Sequence, residues 1–430
     1  MSGIDLKTEV LAGVTTFLTS MYIIVVNPAI LQNAGMPFDG VLTATVLVSA
    51  FTSIMMGIYA KNPIVLAPGM GMNAFFAFTI VQGMGVSWQI ALGCVFWAGV
   101  IFFLLSVFNV REQILLATPK QLRYGVAAGI GLFITLIGFK NAGFIVDHPE
   151  TLVGRSPLNS LTITFLIGLM VSAIFVAKRI KGALVLGIIL TTLLAIPIGR
   201  WWGGTDLVSG VPLISWQGLL AMPNFSLFLQ LDLLGSLQLI MLPAIFTILF
   251  TDLFDSVSTL VGVMEAGDLR DEAGQPRNIK QSLIVDATGT ALSGLVGTSP
   301  TTSFIELATG IEEGGRTGIT AIVAGLLFLP FMFLAPLLSM IPAIATAPAL
   351  ILVGAFMMRP VLNVRWDQLD DAIPVFLCMT LIPLTFSITQ GLIWGFLSWL
   401  LIKLALGKRQ DLSPMLYVIC GLAIVTFAFE

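Results

Sequence analysis

Long apolar runs broken by short polar stretches fill the chain from residue 10 to residue 406. Read as helices, they fall at 10–27, 41–60, 73–84, 88–108, 121–139, 161–177, 183–199, 237–264, 281–297, 302–312, 317–340, 346–359, 372–387 and 389–406. Most come close to the length that crosses a hydrocarbon core of roughly 30 Å. The third and tenth do not, because about 12 residues of helix cover only about 18 Å. Each must begin part-way through the membrane, after chain that is not helical. The pattern predicts an all-α polytopic membrane protein of 14 segments with discontinuous half-helices at segments 3 and 10.

An internal repeat supports this reading. The stretch TSMYIIVVNPAILQNAG, 19–35, aligns with TDLFDSVSTLVGVMEAG, 251–267, at an offset of 232 residues, and the same offset carries Pro68 onto Pro300. Seven segments per half is an odd number, so the second copy must be inverted in the membrane. Inverted repeats with broken helices at matching positions mark the midplane binding site of a secondary transporter. In IVLAPGMGMNAFFAF, 64–78, Pro68 removes a backbone donor, and Gly69 and Gly71 permit unusual dihedrals and close approach. A helix starting near Asn73 would then turn its unpaired N–H groups into a cavity. GTSPTTSFIEL, 297–307, is the second copy of this device, with hydroxyls.

Composition narrows the chemistry. Hydrophobic residues make up 57% of the chain and charged ones 10%, and no polar stretch is long enough for a soluble domain with its own core. The first nine residues lack the basic region of a cleaved signal, so the first helix is expected to stay in the mature protein. With Lys7 cytoplasmic and the runs alternating, 17 of the 20 basic residues fall on the cytoplasmic side and only Lys140, Arg155 and Arg200 outside. This is the bias of the positive-inside rule. Cys94, Cys378 and Cys420 each sit inside an apolar run and read as small buried hydrophobes. The sole histidine, His148, lies in a loop, and no His/Cys cluster offers metal ligands. Redox, metal and histidine chemistry are therefore not expected, nor is any cofactor, and no enzyme constellation is present.

Carboxylates inside apolar segments stand out instead. IFTILFTDLFDSVSTLVGV places Asp252 and Asp255 at i and i+3 with Ser256 and Thr259 close by. Glu306 falls in the first turns of the second half-helix, and Asp286 in SLIVDATGTALSGLVG. A charge at the bilayer centre costs at least ~2.5 kcal/mol, so these acids are candidates to bind a cation, accept hydrogen bonds from a ligand, or carry a proton. For Asp286 a scaffold role near the cytoplasmic end competes with proton coupling.

The stretches NPAILQNAGMP, APGMGMNAFFAF, LFDSVSTLVGV, GTSPTTSFIELATGIEEGGRTGIT and PLTFSITQGLIWGF resemble, in order, the signatures of the AzgA-like purine-base permeases of the nucleobase/ascorbate transporter superfamily. The likeness runs from about residue 9 to residue 417. It implies two inverted seven-segment repeats divided into a core domain, residues 1–110 and 233–342, and a gate domain, residues 111–232 and 343–430. It implies uptake of adenine, hypoxanthine or guanine by proton symport, with elevator-like alternating access. Carried over by position, the substrate contacts are Asn73, Asp252, Asp255 and Glu306, with Phe75 and Phe304 placed to cover a flat ring. Proton coupling falls to Asp255, Glu306 and Asp286. The implied partners are a purine nucleobase, protons and membrane lipid, without nucleic acid; a homodimer is left open. The expected location is the plasma (inner) membrane, N-terminus cytoplasmic. Ser258 replaces a glycine usual in the family and Leu307 a common serine, so a same-fold carrier of uracil, xanthine or an anion, or a sodium-coupled purine carrier, stays open. The leftover run 415–429, about 22 Å as a helix, is expected to pack partly embedded against the gate domain on the cytoplasmic side, leaving Glu430 cytoplasmic.

Overall fold

The computed structural model describes residues 5–108, 119–201, 218–270, 276–303 and 308–429. The helices in chain order are α1 (Leu6–Ser20), α2 (Ile23–Leu31), α3 (Phe38–Met55), α4 (Met70–Ala74), α5 (Trp88–Val107), α6 (Lys120–Asn141), α7 (Ser160–Ala177) and α8 (Ala183–Trp201). They continue as α9 (Leu242–Ala266), α10 (Ile279–Val296), α11 (Ala308–Glu312), α12 (Gly318–Phe328), α13 (Ala335–Leu338), α14 (Ala343–Met357), α15 (Leu369–Thr385), α16 (Ile388–Ala405) and α17 (Pro414–Phe429). Among the described residues, eight helical spans are long and apolar enough to cross a membrane. Exposed apolar side chains point away from the protein interior: on α7, Ile163, Ile167, Met170 and Ile174 form one outward stripe. That surface suits lipid, and the chain is an integral membrane protein.

Two packing groups arise. In one, α5 lies along α9 and α10, while α3 and α12 pack on each other with α1 and α2 beside them. In the other, α6 packs on α14 and α15, α15 on α16, and α7 and α8 on α14. Small residues set the closest approaches. A Cβ at Gly99 would meet the Ala291 backbone of α10 at 2.6 Å, and one at Gly131 would lie 2.7 Å from the Gly354 carbonyl of α14. Local signals start the helices where the apolar runs begin: Asn159 and Thr162 cap α7 reciprocally, each side chain bonding the other residue's backbone N–H.

The expectation of an all-α chain needs amending at two places. Ile145–His148 and Leu152–Arg155, β2 and β3, form a small antiparallel hairpin, with His148 Nδ1 3.0 Å from the Thr151 hydroxyl. More consequential is the chain before each half-helix. Leu66–Pro68, β1, and Thr301–Ser303, β4, pair antiparallel in the register Leu66–Ser303, Ala67–Thr302 and Pro68–Thr301. The Gly69 N–H extends the ribbon by donating to Pro300 O at 3.0 Å. Each irregular segment thus satisfies the other's backbone, which is what non-helical chain at membrane depth requires. The offset of 232 exchanges the pair Pro68–Thr301 with the pair Gly69–Pro300, so the local two-fold falls at the crossing point.

Two boundaries differ from expectation. The first apolar run is not one helix: it breaks at Met21–Tyr22 between α1 and α2. The first half-helix begins at Met70 rather than near Asn73 and continues as a wider π-helical stretch, Phe75–Gly83. Asn73 N–H is already paired, to Gly69 O at 2.9 Å, so the open first-turn donors belong to Met70, Gly71 and Met72. Finally, α17 buries Leu416, Ile419, Cys420 and Ala423 against α16 and α9. Cys420 Sγ reaches the carbonyl of Phe396, midway along α16, so α17 packs along that helix.

Candidate functional site

The ribbon places residues from both halves side by side. Asn73, one turn into α4, is fully buried; its Oδ1 accepts from Ser299 Oγ at 2.7 Å and its Nδ2 lies 3.9 Å from Met70 Sδ. Ser299 Oγ is also 3.1 Å from Asn27 Oδ1, and Asn27 Nδ2 donates to Thr45 Oγ1 at 2.7 Å and Thr298 Oγ1 at 2.8 Å. Two asparagines of the first half therefore grip the loop before β4. Phe75 opens the π-helical stretch and is buried.

The glycines act through space, not through dihedrals. Gly69 has ordinary extended angles, φ −76° and ψ 134°, which any residue adopts. A Cβ there would lie 2.5 Å from Thr302 Cγ2, so glycine is needed to let the Thr302 side chain into the ribbon. Gly71 plays the same part toward Ile130 of α6, whose Cγ2 a Cβ would strike.

Asp252 and Asp255 leave α9 about 60° apart around the helix, and their surroundings diverge. Asp252 is wholly buried: Oδ2 accepts from Thr290 Oγ1 of α10 at 2.7 Å and Oδ1 from Ser256 Oγ at 3.1 Å. Asp255 is half-buried and accepts from Thr302 Oγ1 at 3.3 Å through Oδ2. Asp286 is buried on α10, one turn before Thr290. Phe304 and Glu306 lie outside the described residues, as does Leu307. Hydroxyls are the groups that sequence reasoning left unassigned: Thr290, Thr298, Ser299 and Thr302, together with Asn27. The signal was available as polar residues set in apolar runs. Cys94, Cys378 and Cys420 are buried free thiols, as expected.

Beside the acids, Phe254 of α9 closes a narrow crevice against Leu122, Arg123 and Val126 of α6, Cys378 of α15, and Leu392, Gly395 and Phe396 of α16. The two packing groups face each other across this crevice, and its lining is apolar apart from Arg123 and Cys378. The carboxylate, amide and hydroxyl groups that could pair with the N–H donors and ring-nitrogen acceptors of a neutral planar ligand lie instead at the ribbon, on Asp255, Asn73 and Thr302.

Comparison with known proteins places the chain among permeases. The model of the Permease family named Xan_ur_permease matches residues 7–393. The chain is 41% identical over 430 aligned residues to the adenine permease AdeP of Escherichia coli, covering 99% of this chain and 94% of that protein. It is 39% identical over 419 residues to the guanine/hypoxanthine permease PbuO of Bacillus subtilis, covering 96% and 95%. Among solved structures, the transmembrane domain of the cyanobacterial bicarbonate transporter BicA superposes with a TM-score of 0.67 at 16% identity, over 90% of this chain and 97% of that one. At that identity the likeness concerns the fold. The relatives are permeases and not enzymes, and the chain belongs to the Xan_ur_permease family, within its AzgA-like purine-base branch.

Proposed function

We propose that this protein imports a purine nucleobase by proton symport, binding the base at the crossover of the two half-helices. The observation that carries the reading is the convergence of Asn73, Asp255 and the Thr302 hydroxyl at one ribbon, with Asp252 directly behind. Purine N–H groups are donors, and an ionised Asp255 accepts them; Glu306 is assigned the second such contact, with Phe75 and Phe304 lying along the base. The relatives named above are permeases of adenine and of guanine or hypoxanthine, which favours those bases. In this reading the fourteen segments form two inverted repeats. The group built on α1–α5 and α9–α12 is the core, and the group built on α6–α8 and α14–α16 is the gate. The core moves as a body past the gate, supported by contacts between the groups that are few beside those within each.

The likeness of fold to a bicarbonate transporter raises an anion as the alternative cargo. Carboxylates at the crossover oppose it, because they would repel an anion from the half-helix N-termini. Uptake of labelled adenine, hypoxanthine, guanine and uracil into a bacterium lacking its own purine permeases tests the proposal. Accumulation of at least one purine in preference to uracil is expected; none, together with stabilisation of the purified protein by bicarbonate, chloride or sulfate alone, would refute it.

A further inference from the structure

Four oxygens join the two acids of α9 into a chain. Asp252 Oδ1 lies 3.1 Å from Ser256 Oγ, Ser256 Oγ 3.1 Å from Thr302 Oγ1, and Thr302 Oγ1 3.3 Å from Asp255 Oδ2. Thr290 fixes the other oxygen of Asp252 at 2.7 Å, which holds Oδ1 toward Ser256. The chain has three links and only two hydroxyl protons. It is fully hydrogen-bonded only when one of the carboxyls supplies the third.

We propose that Ser256 and Thr302 form a proton relay that shuttles a single proton between the half-buried Asp255 and the fully buried Asp252. The proton on Asp255 passes to Thr302 Oγ1, the Thr302 proton passes to Ser256 Oγ, and the Ser256 proton passes to Asp252 Oδ1. Both hydroxyls end neutral with their bonds reversed, and the net change is one proton moved. The consequence is a division of labour. While Asp252 stores the proton behind the ribbon, Asp255 is ionised and accepts a purine N–H. The proposal rests on the proton-symport reading above. The relay depends on the ribbon: Thr302 is one of its paired residues and occupies the space that Gly69 leaves, and it is through Thr302 that Ser256, bonded to Asp252, connects to Asp255.

Charged residues on the helices that pack against α9 include Arg123 of α6, which shares the crevice with Phe254, Asp286 of α10, Glu312 of α11 and Lys403 of α16. The test therefore changes only hydroxyls and leaves every charge in place. Purified parent, Ser256→Ala, Thr302→Val and Thr302→Ser are reconstituted in liposomes holding a trapped pH dye. Purine-driven proton influx is measured beside purine counterflow, which needs no net proton movement. Ser256→Ala should keep purine affinity within about threefold and retain counterflow, while proton influx per purine falls about tenfold or more; Thr302→Val should lower proton influx per purine to a similar extent, and Thr302→Ser should restore it. Parental proton influx in either hydroxyl-free variant would overturn the relay alone, with symport intact. So would a Thr302→Ser variant as impaired as Thr302→Val, or loss of purine binding in Ser256→Ala, since these assign the groups to packing or to binding. A parent that moves purine without protons would overturn the symport reading and the relay together. If Thr302→Val fails to reach the membrane, Ser256→Ala on α9 decides the question.

Discussion

The chain leading into each half-helix occupies an equivalent place at the offset of 232 residues, yet the two lead-ins use opposite means. The first, Pro68-Gly69-Met70-Gly71, is a surface with little on it: its glycines admit Thr302 from one side and Ile130 of α6 from the other. Farther along the same half-helix, Thr79 Oγ1 donates to Phe386 O at 2.8 Å, and Phe78 packs edge-on to Phe386, which also meets Phe133 and Lys140. The second lead-in, Thr298-Ser299-Pro300-Thr301-Thr302, instead fills the space with hydroxyls, which reach Asn27, Asn73 and Asp255. One copy supplies close approach to the opposite packing group; the other supplies hydrogen bonds to the acids and asparagines. In the proposed reading, the first lead-in would serve the contact that moves and the second the contact that binds.

Locking the first half-helix should have the largest effect. A disulfide between Thr79→Cys and Phe386→Cys would tie the proposed core to the proposed gate, and uptake should stop and return on reduction. Full uptake by an efficiently crosslinked protein would show that this contact does not move during transport. Next come the acids beside the second lead-in. Asp255→Asn and Glu306→Gln should abolish accumulation while the protein reaches the membrane, with purine affinity falling at least about tenfold for a lost charged bond of ~1.5–3 kcal/mol. Radioligand binding to the purified variants checks this, and parental affinity in both would locate the base elsewhere.

Gly69→Ala probes the fit between the two lead-ins. Its Cβ would meet Thr302 Cγ2 at 2.5 Å, an overpacking that typically costs about 1–3 kcal/mol. Thr302→Ser removes that methyl and keeps the hydroxyl, so the double variant should recover most of the lost thermal stability and uptake. Equal damage in single and double variants would show that the glycine serves another purpose. The smallest effect is expected from Ser299→Ala. It takes a neutral hydrogen bond from Asn73, worth about 0.5–1.5 kcal/mol, and should lower thermal stability modestly without changing which purine is carried. A switch of purine preference would move Ser299 into the base-binding surface.

Length and composition made much of this legible. Two apolar segments too short to cross, each behind a proline, mark where non-helical chain interrupts the apolar pattern, and both marks fall at the β1–β4 ribbon, although Thr301–Ser303 is strand rather than the expected start of helix. Their pairing was hidden, because each strand has three residues and the partners lie more than two hundred residues apart, as Leu66 and Ser303 do. The acids were legible as a pair but not as two environments: i,i+3 spacing looks like one face, whereas α10 claims Asp252 and β4 claims Asp255. Asn27 stands in a recognisable motif that gives it no role, although an asparagine inside Ile-Ile-Val-Val-Asn-Pro must find partners for its amide. Lys403 is a comparable case. It sits buried in an apolar helix, 2.6 Å from Asp370 and 2.7 Å from Asp371 at the start of α15, so it clamps two helices of one packing group.

The central claim is that the base sits at the ribbon between the two half-helices. An experimental structure with adenine or hypoxanthine bound tests it most directly. The expected result is a base whose N–H groups lie within about 3 Å of the Asp255 carboxylate, flanked by the half-helix that carries Asn73 and Phe75. A base held elsewhere, with Asp255 still bonded only to protein groups, would contradict it.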